Sequence, residues 1–146
     1  MTQAADRLAR ILAATPLRLA DVSDAEASQP CAPGHWSKKE ILGHLIDSAA
    51  NNHQRFVRAQ LAPSLELPGY QQEQWVAAQH YATESWPDLV NLWLLYNRHL
   101  LHILGTVPEA SLSCPCAIGG AGPLPLSEVI SGYVDHLEHH LSQILS

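Results

Sequence analysis

The sequence predicts an all-α protein built as a four-helix bundle, and three observations carry that prediction. Apolar residues recur at a helical period of about 100° per residue in four long stretches. No stretch shows the sustained apolar–polar alternation of a half-buried strand. Clusters of Gly and Pro fall between the helical stretches rather than inside them. The length agrees, since 146 residues suit a single domain, spanning 1–146, around one sizeable core. A hydrophobic content of 47% with 15% charged residues belongs to globular chains rather than disordered ones.

The first helix covers Gln3–Ala14, with Leu8, Ile11 and Leu12 on a face shared with Ala4 and Ala5. Thr15-Pro16 reads as a cap followed by Pro at a first helical position, so a kink or restart is expected there. Ser28–His35, with Pro30, Pro33 and Gly34, is a loop. Ser37-Lys38-Lys39-Glu40 is a capping box, and Trp36 with Ile41 forms a hydrophobic staple across it. The second long helix therefore starts here and should run to about Gln60. Its apolar side carries Leu42, Leu45, Ile46, Ala49 and Phe56. The opposite ribbon holds His44, Ser48, Asn51 and Arg55, with Asp47 beside it, and periodicity alone reads that ribbon as the solvated face.

Leu61–Glu84 is long for a link between antiparallel neighbours and contains a short accessory helix, Gln71–Gln79, which suits a crossover along the bundle. Ser85-Trp86-Pro87-Asp88 opens the third long helix, with Ser as cap and Pro tolerated in the first turn. Leu89, Trp93, Tyr96, Leu100, Leu104 and Val107 form its inner stripe, and Asn97 is the one polar residue inside it. A buried amide needs partners, so Asn97 is either a structural hydrogen-bonding group or part of a pocket. Leu92 and Leu95, off the stripe, point to a homodimer face or to thick packing within the bundle. Gly105–Pro125 is a loop, and the last helix occupies Ser127–Ser146.

The formal charge is −6, from eight basic and fourteen acidic residues, and no basic stripe is present, which argues against nucleic acid or an anionic membrane as partner. The N-terminal stretch carries Asp6, Arg7 and Arg10 and lacks the apolar core of a secretory signal; with no membrane-length apolar run, a cytoplasmic location is expected. Cys31, Cys114 and Cys116 are too few for a disulfide framework, and Cys114-Pro115-Cys116 reads as two incidental thiols, with a soft metal clip or a redox pair as the alternatives.

Nine histidines is a high number for this length. His136 and His140 stand four apart at the edge of the last helix's apolar face, about 40° from each other, while His139 points to the polar side. Two imidazoles one turn apart can grip one metal ion, although histidines flanking an apolar face are often no more than hydrogen-bonded surface groups. His35, His53 and His80 have no partner at ligand spacing, and His99 and His102 fall on the outer side of the third helix.

Trp36–Arg58, WSKKEILGHLIDSAANNHQRFVR, and Ser131–Ile144, SGYVDHLEHHLSQI, together resemble the DinB-like superfamily of bacterial four-helix proteins. The resemblance spans residues 36 to 144 and rests on the Trp-Ser cap, the H-x-x-D at His44–Asp47 and the H-x-x-x-H of the last helix. It implies that His44, His136 and His140 bind one divalent metal, which moves His44 from solvated face to ligand. Asp47 matches the H-x-x-D, and its role is read as a carboxylate orienting an imidazole, or as a base. Relatives include metal-dependent transferases that join low-molecular-weight thiols to electrophiles, and a related isomerase.

Three neutral imidazoles leave the ion's charge uncancelled and a coordination position open, the mark of a catalytic site. Two chemistries follow: a hydrolytic water, or a thiol bound as thiolate, which the resemblance favours. Arg55, Asn51 and Asn97 are the candidates for a small substrate's polar groups. Imidazole suits zinc, nickel or iron, and also copper. The rival expectation is a non-catalytic metal- or ligand-binding bundle.

Overall fold

The computed structural model describes residues 2–146. Helix α1 (Gln3–Ala14) is capped by Thr2, and the chain restarts at Pro16 into α2 (Pro16–Ala20) and then α3 (Asp24–Ala27). The capping box forms at the head of α4 (Lys38–Arg58): Glu40 N–H donates to Ser37 Oγ at 3.3 Å, and Ser37 N–H donates to the Glu40 carboxylate at 3.0 Å. Such a cap stabilises a helix start by about 1 kcal/mol. Beyond it come β1 (Leu65–Leu67), α5 (Gln72–Gln79), a 3₁₀ turn at Tyr81–Thr83 and α6 (Trp86–Leu104). A second 3₁₀ turn, β2 (Pro115–Ile118), β3 (Leu124–Pro125) and α7 (Leu126–Leu145) complete the order.

The four long helices form the bundle. Helix α4 packs on α6 and α7, and α1 packs on the same two, so α1 and α4 stand on a diagonal. Leu8, Leu42, Leu45, Phe56, Trp93 and Leu137 fill the space between them with no exposure above 1%. At the edge, Arg7 donates to both Asp135 and Glu138, tying α1 to α7. Buried Lys39 reaches Asp24, which also accepts from the Trp86 backbone N–H, so one carboxylate joins α3, α4 and α6.

The connectors depart from the strand-free expectation. They carry a three-stranded sheet in the order β1-β2-β3, with β1 parallel to β2 and β2 antiparallel to β3. The strands are two to four residues long, too short for alternation to register, and the pairing of β1 with β2 joins segments about fifty residues apart. Cys116 is buried in β2 and Cys114 beside it; among the described residues neither belongs to a metal-ligating cluster.

Leu92 and Leu95 on α6 are exposed, and no helix among the described residues is long and apolar enough to cross a membrane.

Candidate metal centre

Helices α4 and α7 run in opposite directions along their seam. His44, near the start of α4, meets His136 and His140 towards the end of α7, while Arg55 and Val129 share a cavity further along. His44 Nε2 lies 2.9 Å from His136 Nε2, and one ligand atom from each of His44, His136 and His140 falls within 4.8 Å of the others. A tetrahedral zinc with nitrogens at about 2.0–2.1 Å sets them about 3.3 Å apart, a spacing these separations straddle. His44 is 1% exposed, and His136 and His140 are half-buried.

The periodicity reading of His44 as solvated is overturned. Trp36 packs on its ring at a centroid distance of 5.1 Å, and α5 with the Tyr81–Thr83 turn covers the rest of that side of α4. Trp36 is held there by the loop, which folds back so that Pro30 bridges Ser37.

The electrostatics suit metal ligation. Burial, and then the neighbouring imidazoles, push His44 and His136 down to about 4, so both are neutral near pH 7 with a lone pair to give. His140 Nδ1 pairs with Gln143 Oε1 at 2.8 Å. That oxygen can only accept, so the hydrogen sits on Nδ1 and Nε2 stays free to ligate. His44 Nδ1 is buried without a partner. His139 is exposed.

Asp47 is 3% exposed, and its recorded partners are not imidazoles. Oδ1 accepts from Tyr81 Oη at 2.7 Å and from Gln79 Nε2 at 2.8 Å, which fastens the crossover to α4, while Oδ2 has no partner. Burial holds this carboxyl above its ordinary range, and those two hydrogen bonds oppose the shift.

Two cavities flank the triad. One of about 510 Å³ reaches His140 past Trp36, Cys31 and Glu73; the other, of about 400 Å³, reaches His136 past Ser48, Asn52, Arg55 and Tyr70. Of the three residues expected to contact substrate, one lines the second cavity and two stand outside its lining. Ser48 and Asn52 lie about 40° and 80° to one side of His44 around α4, the side where α7 packs. Asn51 and Asp47 lie about 20° and 60° to the other side, towards α5. Asn51 therefore turns from the cavity and donates to the Asp47 carbonyl, and Asn52 takes the wall instead. Asn97 is fully buried, donating to the Trp93 carbonyl and accepting from Tyr133 Oη, so it holds the core and meets no cavity. Arg55 does line the cavity. Tyr70 and Gly132 also line it and escape sequence reasoning; the one available signal was a glycine in the middle of a helix.

Comparison with known proteins places this arrangement in a family. A relative from Bacillus licheniformis is 27% identical over 131 residues, covering 86% of this chain and 72% of its own, and one from Bacillus mycoides is 25% identical over 126 residues with the same coverage. Both bear the name "Putative metal-dependent hydrolase". Among solved structures, YfiT from Bacillus subtilis, described as a probable metal-dependent hydrolase with an unusual four-helix bundle topology, superposes with a TM-score of 0.76 at 20% identity over 99% of this chain and 86% of its own. A mycothiol-dependent maleylpyruvate isomerase gives 0.78 at 14% identity over 97% of this chain and 59% of its own. At those identities both show the fold alone. The DinB superfamily model matches residues 7–144, nearly the whole chain, and the protein belongs to that superfamily.

Proposed function

We propose that this protein is a metal-dependent enzyme in which His44, His136 and His140 hold one divalent ion, zinc, nickel or iron, and bring a small nucleophile to an electrophilic small-molecule substrate. One observation carries the reading: three imidazoles from two helices converge at a point open to two cavities. A divalent ion on three neutral imidazoles supplies an uncancelled charge and an open position, which lowers the pKa of a water or thiol. The chain's own residues do the rest. Burial keeps His44 and His136 unprotonated, Gln143 fixes the His140 tautomer, and Trp36 restrains the His44 ring. Asp47 Oδ2 and His44 Nδ1, three residues apart on α4, are each buried without a partner, and a turn of the two side chains towards each other would make Asp47 the orienting carboxylate.

The nucleophile we favour is a low-molecular-weight thiol. A water must be acidified from about 15.7 to about 7 before it is a hydroxide near neutral pH, whereas a free thiol starts from about 8.5 and needs far less help. A thiol gives up its proton on meeting a divalent cation. The names of the Bacillus relatives support water as the second reading. A second copy of the chain over Leu92 and Leu95, which are 47% and 61% exposed, belongs to the proposal, and a monomer by light scattering would remove it.

The test is turnover by metal-loaded protein of two panels: low-molecular-weight thiols with epoxides or alkyl halides, and aryl esters in water. Thiol conjugation that a chelator abolishes and His136→Ala lacks is the expected result. Ester hydrolysis alone would select water. A protein that binds metal yet accelerates neither reaction is a non-catalytic metal-binding bundle.

A further inference from the structure

Of the eight basic side chains, four are not exposed: Arg7, Lys38, Lys39 and Arg55. Arg7 pairs with Asp135 and Glu138, Lys38 with Glu26 and Lys39 with Asp24. Arg55 alone has no carboxylate within 4.0 Å among the described residues. Its one hydrogen bond runs from Nη1 to Asn52 Oδ1 at a long 3.4 Å, so most of the guanidinium's five donors are free. A half-buried cation left unpaired is costly, and an anion in contact with it removes that cost.

We propose that the cavity between α4 and α7 is a carboxylate subsite, and that the substrate is a small molecule whose carboxylate is held by Arg55 while its reacting carbon faces the histidine triad. This deepens the reading of the triad as a metal centre and rests on it for the position of the reacting end.

Three further observations fit. First, His44, Ser48, Asn52 and Arg55 follow one another along a single side of α4. Asn52, against which the guanidinium lies, is about 12 Å beyond His44 along the axis at 1.5 Å per residue, room for a short carbon chain. Second, Gly132 sits inside α7 on the cavity wall, and a Cβ built on it would meet nothing within 4 Å. Glycine in a helix interior costs roughly 0.5–1 kcal/mol against Ala and is usually explained by close packing. Here it leaves open volume instead. Gly43 on α4 is the contrast, where an added Cβ would strike the Tyr81 ring.

Third, the neighbouring wall is neutral and polar, from Ser48, Asn52 and Tyr70, and the single acid among the lining residues, Glu128, is exposed. Burial lowers the Arg55 pKa, as expected of a charge short of a partner. A planar guanidinium matches a carboxylate through two parallel hydrogen bonds. One Arg, with no second cation among the lining residues, balances a single negative charge, which favours a carboxylate over a phosphate.

The test uses the whole 146-residue chain, metal-free and zinc-loaded, titrated with butyrate, succinate and glutarate, with their amides, and with inorganic phosphate. Binding is read by calorimetry and by the Arg55 Nε–H resonance. At least one carboxylate should shift that resonance and bind roughly tenfold or more tightly than its amide, in both metal states. Arg55→Gln should lose that preference, and Gly132→Leu should block binding by filling the cavity, both with zinc uptake intact. Three results would overturn the proposal: carboxylates that bind no better than amides, binding that Arg55→Gln leaves unchanged, or phosphate binding more tightly than every carboxylate. Because the metal-free arm does not involve the triad, a failure of zinc uptake would sink the metal reading and leave the Arg55 result standing by itself.

Discussion

The ring of Tyr81 lies directly over Gly43: a Cβ at that glycine would collide with Tyr81 Cδ2 and Cγ. The missing side chain lets the ring sit flat on α4 and extend its hydroxyl to Asp47 one turn further on. Gly43→Ala gains about 1 kcal/mol of helix propensity, yet the buried ring has nowhere to go. Overpacking of this kind costs about 1–3 kcal/mol, so the variant should unfold at lower denaturant than the parent. Equal or greater stability would show that the crossover does not depend on this contact.

Asn97 and Tyr133 form a buried pair in the core. Asn97→Ala leaves the Tyr133 hydroxyl without its acceptor, a loss of about 1–3 kcal/mol in chemical denaturation. Metal content should not change, since neither residue belongs to the histidine cluster. A variant of unchanged stability that lost ligand binding would return Asn97 to the role of substrate contact.

Acid should destabilise the metal-free protein through the triad. His44 and His136 are pushed down to about 4 in the fold, against an ordinary value of 6.5. Between those values the unfolded chain binds more protons than the folded one, so stability falls as the pH drops from about 6.5 towards about 4. The raised Asp47 carboxyl acts in the opposite sense. Melting temperatures across this range should fall with pH in the parent and fall less steeply in His44→Gln.

The part of this molecule that is local in the chain was legible in its sequence. The capping box at Ser37 and Glu40, the pair His136 and His140 on one turn, and the isolated amide at Asn97 each declare themselves within a few residues. What could not be read depends on segments distant in sequence. His44 looks wet on its own helix because the Trp36 loop and the crossover that bury it lie elsewhere in the chain. The sheet escaped because pairing of Leu65–Leu67 with Cys116–Ile118 leaves no period in either segment. Asn52 rather than Asn51 lines the cavity because the side of α4 facing it is fixed by where α7 docks, a choice that periodicity cannot make.

His139 supplies an internal control. It stands next to His140 but is exposed and outside the cluster. His139→Ala should bind metal like the parent, whereas His140→Ala should lose about 10–100-fold or more in affinity, as does the loss even of a group that supports a ligand. Equal losses from the two would mean that metal binds on the surface of α7.

The most direct measurement is the anomalous-scattering position of a bound ion in crystals of protein purified without a nickel column, together with elemental analysis of His44→Ala. The account predicts one ion per chain coordinated by His44, His136 and His140 together, and a substoichiometric metal content in the variant. An ion held by His136 and His140 with His44 turned away, or full metal content in His44→Ala, would contradict it.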